Sequence, residues 1–255
     1  MTPLPPASWA RRAALPVALC AGLTVVLTAC GEDPDAGTNG VGKLTAAEIE
    51  SKAREAVDAA DSVRLSGTLV SKGGTYKLNM RLKHEGGTGS VTSKGNTFEL
   101  LRVGDTLFLK ADAGFWSRSD GKDGDEPSRT DAEVADKLDD KYVKVPEGDP
   151  AYKQFRGFTD MDVLLDGLLG MQGELTKGDR TQVGGVRTIK VTGGNGEGGI
   201  LDVSLEGEPY PLQFARAGGA GVLTLGDWDE DFALEEPSKD ETLDYGRQLP
   251  RTSEG

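Results

Sequence analysis

The amino-acid sequence predicts an α+β domain built on one large antiparallel sheet, with helices gathered on one side of it. Apolar residues recur at every second position in several short runs, which is typical of strands that bury one face. Two other regions repeat apolar residues at helical spacing. These patterns follow the order helix, strands, helices, strands, and such segregation is typical of α+β domains.

Residues 1–29 have the composition of a signal peptide. Arg11 and Arg12 precede an apolar run from Ala13 to Leu27, which is shorter than the ~20 apolar residues that a membrane-spanning helix needs. The run ends in Leu27-Thr28-Ala29-Cys30-Gly31, an apolar residue and two small residues before a cysteine, which is the pattern of a bacterial lipobox. An ordinary secreted protein cut after Ala29 is the alternative.

The lipobox predicts cleavage before Cys30 and a diacylglyceryl group on its thiol. Two or three acyl chains on one cysteine hold a protein stably at a bilayer. We therefore expect a lipid-anchored protein on the extracytoplasmic face of the cell membrane.

Charge and cysteine content exclude several classes of function. Removing residues 1–29 takes away Arg11 and Arg12 and no acidic residue, so the net charge falls from −13 to −15. A domain this acidic lacks the basic clusters that bind nucleic acid. The second cysteine, Cys20, lies in the removed segment, and His84 is the one histidine, so neither a disulfide nor a Cys/His metal site is expected. No cofactor is implied, and we expect a monomer.

The composition divides the mature chain into three parts. Residues 30–43, rich in Gly, Asp, Pro, Thr and Asn, predict a flexible tether. Residues 44–237 predict a single domain of about 200 residues, enough for a substantial core. Residues 238–255 are polar and predict a disordered tail.

The first elements of the domain are a helix and a strand meander. Thr45-Ala46-Ala47-Glu48 predicts a capping box at the start of a helix. Thr75 to His84 alternates strictly, with Tyr76, Leu78, Met80 and Leu82 on one side. Neighbouring runs with glycine turns extend this pattern over Val63–Val70, Gly89–Ser93, Thr97–Val103 and Asp105–Lys110.

The second half of the chain predicts helices and then further strands. Ser119–Ser128 contains no hydrophobic residue and predicts an exposed loop. Thr130 and Thr159 are candidate caps of two helices, the second ending at Gly170. The last strands are predicted at Arg180–Val191, Gly199–Leu205, Leu212–Ala215 and Val222–Leu225.

Several segments resemble the LppX/LprG group of actinobacterial lipoproteins. They are the lipobox, the helix from Leu44, the segment Val183-Gly184-Gly185-Val186-Arg187-Thr188-Ile189-Lys190-Val191, the step Glu208-Pro209-Tyr210-Pro211-Leu212 and the strand Leu223-Thr224-Leu225-Gly226-Asp227-Trp228. The likeness spans nearly all of the mature chain. It implies a curved antiparallel half-barrel covered on its concave side by helices, similar to the LolA and LolB carriers.

The resemblance also implies a function. Several members of that group hold acylated lipids between the sheet and the helices. This chain would then bind a lipid or glycolipid at the cell envelope, as a carrier and not as an enzyme. A non-catalytic interaction or sensor module without bound lipid is the alternative.

A cavity for such a ligand would be lined by the apolar face of the sheet and by the inward stripe of the central helix. Its predicted wall residues are Leu65, Leu69, Leu78, Met80, Phe98, Leu100, Leu107, Leu109, Leu164, Leu165 and Leu168. The same residues would also form a filled core, because pockets and cores share one composition and differ in packing.

No pattern for catalysis or metal binding accompanies these features. His84 has no serine nucleophile motif of the Gly-x-Ser-x-Gly type to act on. The acidic runs Asp120–Glu126 and Asp227–Asp231 lack the ligand spacing of a calcium-binding EF-hand loop. The glycines between Gly193 and Gly199 have no lysine or following helix to bind phosphate, and they predict turns.

Overall fold

The computed structural model describes residues 35–71, 74–118, 129–246 and Leu249. The predicted signal peptide with Cys20, the predicted lipidation site Cys30 and the first acidic run, Asp120–Glu126, lie outside these residues. No helix in the described part of the chain is long and apolar enough to cross a membrane.

The described strands form one open sheet in which neighbours pair antiparallel, except for the last strand. Their bounds are Ser62–Ser71 (β1), Gly74–Lys83 (β2), Gly86–Ser93 (β3), Asn96–Val103 (β4), Thr106–Ala111 (β5), Tyr142–Val145 (β6), Leu175–Val183 (β7), Val186–Gly193 (β8), Ile200–Ser204 (β9), Pro211–Ala215 (β10), Gly221–Gly226 (β11) and Thr242–Leu243 (β12). The spatial order is β12-β6-β5-β4-β3-β2-β1-β11-β10-β9-β8-β7. The two halves of the chain therefore meet where β1 pairs with β11, and β7 and β12 are the edges.

Five α-helices accompany the sheet in the described residues. They span Ala46–Ala59 (α1), Ala113–Arg118 (α2), Arg129–Leu138 (α3), Pro150–Thr159 (α4) and Met161–Leu169 (α5). Helix α1 packs against β7 and β8, whereas α4 packs against β2, β3 and β4. Each half of the sheet thus has its own helical cover.

The capping box at the start of α1 is confirmed. The Thr45 hydroxyl accepts a hydrogen bond from the Glu48 amide, and the Glu48 carboxylate accepts one from the Thr45 amide. The hydrogen bonds that the Thr45 amide and hydroxyl donate to the Glu48 carboxylate lower the pKa of Glu48. The Thr45 hydroxyl and the Glu48 carboxylate thus each pair with a backbone amide that the start of a helix leaves without an intrahelical acceptor.

Three predictions about helices and strands in the second half are wrong in detail. Helix α3 begins at Arg129, so Thr130 is its second residue and not its cap. Thr159 does not cap a helix: it is the last residue of α4, and the Asp160 side chain caps α5 instead. The single strand predicted over Arg180–Val191 is a hairpin of β7 and β8 that turns at Gly184 and Gly185. Both glycines have positive φ, at +59° and +88°, which a tight hairpin turn requires.

Residues 35–43, predicted as part of a tether, are ordered along the inner side of the β7–β8 hairpin. The Asn39 amide donates to the carbonyl oxygens of Ser204 and Gly207, and Val41 is buried. Arg180 pairs with Asp35 at 2.6 Å. Lys177 donates to the carbonyls of Gly42 and Leu44. Residues 35–43 are therefore held in place by hydrogen bonds and ion pairs with residues far along the chain, which the composition of the segment itself does not reveal.

The predicted disordered tail also contains an ordered part. Thr242 and Leu243 form β12, which pairs parallel with β6. Leu249 is buried, and its amide donates to the Asp149 carboxylate. The fold in the structure thus continues past residue 237.

The sheet has one continuous apolar face because the registers keep alternate residues in phase. Leu65 is opposite Met80 on one side and Leu225 on the other. The same alignment continues from Leu100 to Leu109 and across β8 and β9. We call this the inner face, since the helices cover it.

The hydrogen bonds of Asn39 generate a prediction about stability. Asn39→Ala should lower the free energy of unfolding by about 1–2 kcal/mol, because the Ser204 and Gly207 carbonyls lose their donor and the Val41 amide loses its acceptor. Urea unfolding followed by circular dichroism measures this. The control is Asn79→Ala on the exposed side of β2, which should change stability by less than about 0.5 kcal/mol. Equal effects of the two substitutions would show that residues 35–43 are a free tether.

Candidate functional site

The predicted wall residues come together on the inner face and in the helical layer. The ten whose side chains are described belong to one buried cluster, with exposed fractions of 9% or less: Leu65, Leu69, Leu78, Met80, Phe98, Leu100, Leu107, Leu109, Leu164 and Leu165. Leu168 lies in α5, but its side chain is outside the described part of the structure.

These side chains are tightly packed. Leu65, Met80, Leu100, Leu107 and Leu109 have an exposed fraction of 0%. A side chain next to a water-sized void would keep some accessible surface, so no such void adjoins these five residues. Room for a ligand at this wall would require the helical layer to move.

Two inward positions of β3, below α4, have no side chain. Gly87 and Gly89 face inward there, opposite Leu82 and Met80. A Cβ atom at Gly87 would lie 2.6 Å from Leu82 Cδ2 and 3.1 Å from the Thr159 carbonyl oxygen. The missing side chain at Gly87 therefore allows the end of α4 to approach the sheet.

Met80 fills the corresponding space at Gly89. A Cβ atom at Gly89 would lie 2.8 Å from the Met80 sulfur, and the φ of +153° at Gly89 also favours glycine. Methionine adapts its shape more easily than the branched residues around it. Met80, the one methionine among the predicted wall residues, can therefore change its shape more easily than the leucines beside it.

A cluster of aromatic side chains covers one end of the wall, and the sequence analysis missed it. Phe98 contacts Phe155 of α4 and Phe115 of α2, with ring centroids 5.4 and 5.5 Å apart. Tyr76 contacts Phe158 of α4 at 5.6 Å. A signal for α4 was present in the sequence, because Asp149 followed by Pro150 is a typical helix start.

The other flank of α4 is attached to the sheet by polar contacts. The Tyr152 hydroxyl donates to the Asp105 carbonyl at 2.7 Å. The Arg102 guanidinium donates to the Thr159 carbonyl through Nη2, at 2.9 Å, and through Nε, at 3.3 Å. Arg102 is only 3% exposed, and this burial lowers its pKa from the usual value. A buried cation thus holds the C-terminal end of α4.

His84 connects the two helical covers. Its Nδ1 lies 3.1 Å from the Asp162 carboxylate at the start of α5, and its Nε2 lies 3.1 Å from the Ala60 carbonyl at the end of α1. These contacts give the histidine a structural role at the junction of α1 and α5.

The second acidic run pairs with groups of the protein. Asp227 lies 3.6 Å from Arg64, and the Asp229 carboxylate accepts from the Tyr210 hydroxyl. Asp231 pairs with Lys83, which lowers the pKa of Asp231. Within the described residues, no group of three His, Cys, Asp or Glu side chains is arranged to hold a metal ion.

Burial and the hydrogen bond to Asp229 together raise the pKa of Tyr210 above its usual value. The Tyr210 ring stacks on Trp228 with centroids 4.6 Å apart. This stack ties the β9–β10 connection to the segment after β11.

No family model and no curated protein matches the sequence. Among solved structures, the chain is similar to LprF from Mycobacterium bovis, with 17% identity over 76% of this chain and 97% of that chain, and a TM-score of 0.50. It is also similar to the lipoprotein LppX from Mycobacterium tuberculosis, with 12% identity over 74% of this chain and 98% of that chain, and a TM-score of 0.44.

A third structure is a putative outer membrane lipoprotein-sorting protein domain from Vibrio parahaemolyticus. It has 10% identity over 75% of this chain and 95% of that chain, and a TM-score of 0.24. The likeness to LprF shows the fold alone. The predicted fold class, an α+β domain with one large antiparallel sheet and helices gathered on one side, is confirmed.

The close approach of α4 to β3 generates a second prediction. Gly87→Ala should lower the free energy of unfolding by about 1–3 kcal/mol, because the added methyl group overpacks the contact with Leu82 and Thr159. The matched control is Gly148→Ala, where a Cβ atom meets nothing within 4 Å. Thermal unfolding of both variants checks this. If the two variants unfold at the same temperature, α4 does not rest on β3 as described.

Proposed function

We propose that this chain is an extracytoplasmic lipoprotein, anchored through Cys30, whose domain binds the acyl chains of a lipid or glycolipid between the inner face of the sheet and the helices. It would act as a carrier or binding protein and not as an enzyme. The observation that carries the proposal is an open sheet with one apolar face that is covered by a separate layer of short helices.

The construction of this helical layer supports the proposal. Helices α4 and α5 contain 10 and 9 residues, and α4 contacts the sheet mainly through aromatic and aliphatic side chains. An acyl chain inserted beneath α4 would replace these apolar contacts with equally apolar ones. The hydrophobic free energy of about 25 cal/mol per Å² is then largely retained on opening.

The path of entry that we propose lies at the aromatic cluster of α2, α4 and the sheet. Phe115, Phe158 and Tyr76 are only partly buried there, so this end of the layer is closest to solvent. Movement of Met80 away from Gly89 would lengthen the space under α4 toward Leu100. The ligand would thus lie along β2 to β4.

Membrane attachment is supported by the sequence of the N-terminal region. The lipobox pattern supports acylation of Cys30, five residues before Asp35, and lipid-modified cysteines of this kind anchor proteins stably. We therefore propose the extracytoplasmic face of the cell membrane as the location.

The tight packing of the wall supports a second candidate function. Five predicted wall residues have no exposed surface, which is also expected of an interaction or sensor module that never binds lipid. The two functions differ in whether the layer of α4 and α5 opens for a ligand.

Co-purification separates these two functions. The full chain with Cys30→Ser, purified without detergent, should carry acyl-containing lipid that native mass spectrometry and organic extraction detect. Leu164→Trp should reduce that loading, since the larger side chain would occupy the room that opens below α5 when the helical layer moves. Leu78→Trp should both reduce loading and lower the free energy of unfolding by about 1–3 kcal/mol through overpacking. Absence of lipid from the chain that carries only Cys30→Ser, before and after incubation with lipid vesicles, would favour the interaction module.

The anchor has a test of its own. In cells of a lipoprotein-exporting bacterium, the wild-type chain should partition into the detergent phase of a Triton X-114 extract and should label with a fatty-acid probe. Cys30→Ser should carry no label, whereas Cys20→Ser should label as the wild type because Cys20 lies in the removed segment. Labelling of the Cys30→Ser variant would contradict the assignment.

A further inference from the structure

Arg102 is the one arginine among the described buried polar residues, and it lies on the apolar inner face. In the sheet it is opposite Gly87 on β3 and Leu107 on β5, and Leu100 precedes it on the same face of β4. The wall proposed for acyl chains therefore leads directly to a guanidinium group.

The hydrogen-bond partners of Arg102 are all neutral carbonyl oxygens. Thr159 accepts from Nε and Nη2, and Gly104 accepts from Nη1 at 2.8 Å, with Glu85 farther away at 3.5 Å. Thr159 ends α4, so its carbonyl carries part of the negative end of the helix dipole. The carbonyl compensates the positive charge of Arg102 less than a carboxylate would, because hydrogen bonds between a cation and an anion are stronger than those to a neutral acceptor.

The nearest acidic residue has other partners. Asp160 raises the pKa of Arg102 through its charge, but its carboxylate accepts from the Val163 amide and lies 3.5 Å from Arg156. No salt bridge to Arg102 occurs in the described part of the chain. Burying a cation that has only neutral acceptors costs free energy. We therefore expect Arg102 to have a function that offsets this cost.

The geometry of the Thr159 contact indicates what that function is. Nε and Nη2 form the edge of the guanidinium group that binds a carboxylate or phosphate through two parallel hydrogen bonds. In this structure a single carbonyl oxygen occupies that edge. Nη1 remains bonded to Gly104 within the β4–β5 turn, so the group would stay in place if Thr159 moved away.

We propose that Arg102 recognises the anionic head group of the acyl ligand, a carboxylate or a phosphate, when the α4–α5 junction lifts from the sheet. This inference rests on the proposed function and names the ligand class for it. The oxyanion would take the place of the Thr159 carbonyl on Nε and Nη2, and the hydrocarbon would extend from there over Leu100 toward Phe98. Opening would thus exchange one set of hydrogen bonds for a stronger set.

The test compares ligands that differ only in head-group charge. Binding to the full chain with Cys30→Ser is followed by tryptophan fluorescence and calorimetry for palmitate against hexadecanol, and for dipalmitoyl phosphatidate against dipalmitoylglycerol. We expect the anionic member of at least one pair to bind about tenfold tighter or more, as charge-assisted bidentate bonds predict. A preference in the first pair indicates a free fatty acid, and a preference in the second indicates a phospholipid.

Substitution of Arg102 gives the second arm of the test. Arg102→Gln should bring the affinities within each pair to within about twofold of each other, and Arg102→Lys should keep part of the preference, since lysine retains charge without the planar fork. Arg64→Gln, on the exposed side of β1, removes a charge elsewhere and should keep the full preference. Circular dichroism shows whether each variant is folded.

The outcomes distinguish the two proposals. If the full chain with Cys30→Ser alone binds both members of each pair equally, acyl binding stands and the assignment to Arg102 is wrong, whatever the Arg102 variants do. If it binds none of the four probes, the proposed function itself fails. A preference that persists in folded Arg102→Gln would also overturn the assignment.

Discussion

The strict register of the sheet is the constraint on which the rest of this structure depends. Side chains alternate between the faces of a strand, so a slip of one residue in any strand would move its apolar side chains into solvent. Across the junction of the two halves, Leu65 stays level with Met80 and Leu225. The helices, the aromatic cluster and the approach of α4 to Gly87 all require this shared apolar face.

Local pattern was sufficient to predict the first meander and α1. Thr75 to His84 alternates without exception, and the structure forms β2 over Gly74–Lys83. The hairpin of β7 and β8 was missed because the strand pattern continues on both sides of Gly184 and Gly185. Helix α4 was missed because its contacts come from few large residues, such as Phe155 and Phe158, and not from a long regular stripe.

Long-range contacts explain the features that composition could not predict. Residues 35–43 have the composition of a linker, yet Lys177 and Arg187 bond to backbone carbonyls in that segment from far along the chain. The predicted wall residues do lie together, but only their packing separates a pocket from a core. Arg102 gave no local signal, since an arginine in a strand is ordinarily solvated and its burial here depends on the position of Thr159.

Strand β7 lies at one edge of the open sheet and pairs with β8 on one side only. An exposed edge presents unpaired backbone groups to any other extended chain, and natural proteins obstruct such edges with bulges and charges. The pairing of β7 shifts register between Lys177 and Arg180, which leaves an extra residue on that strand. Lys177, Asp179 and Arg180 place charge at the same point. The open sheet can therefore keep this edge free without recruiting strands from other chains into fibres.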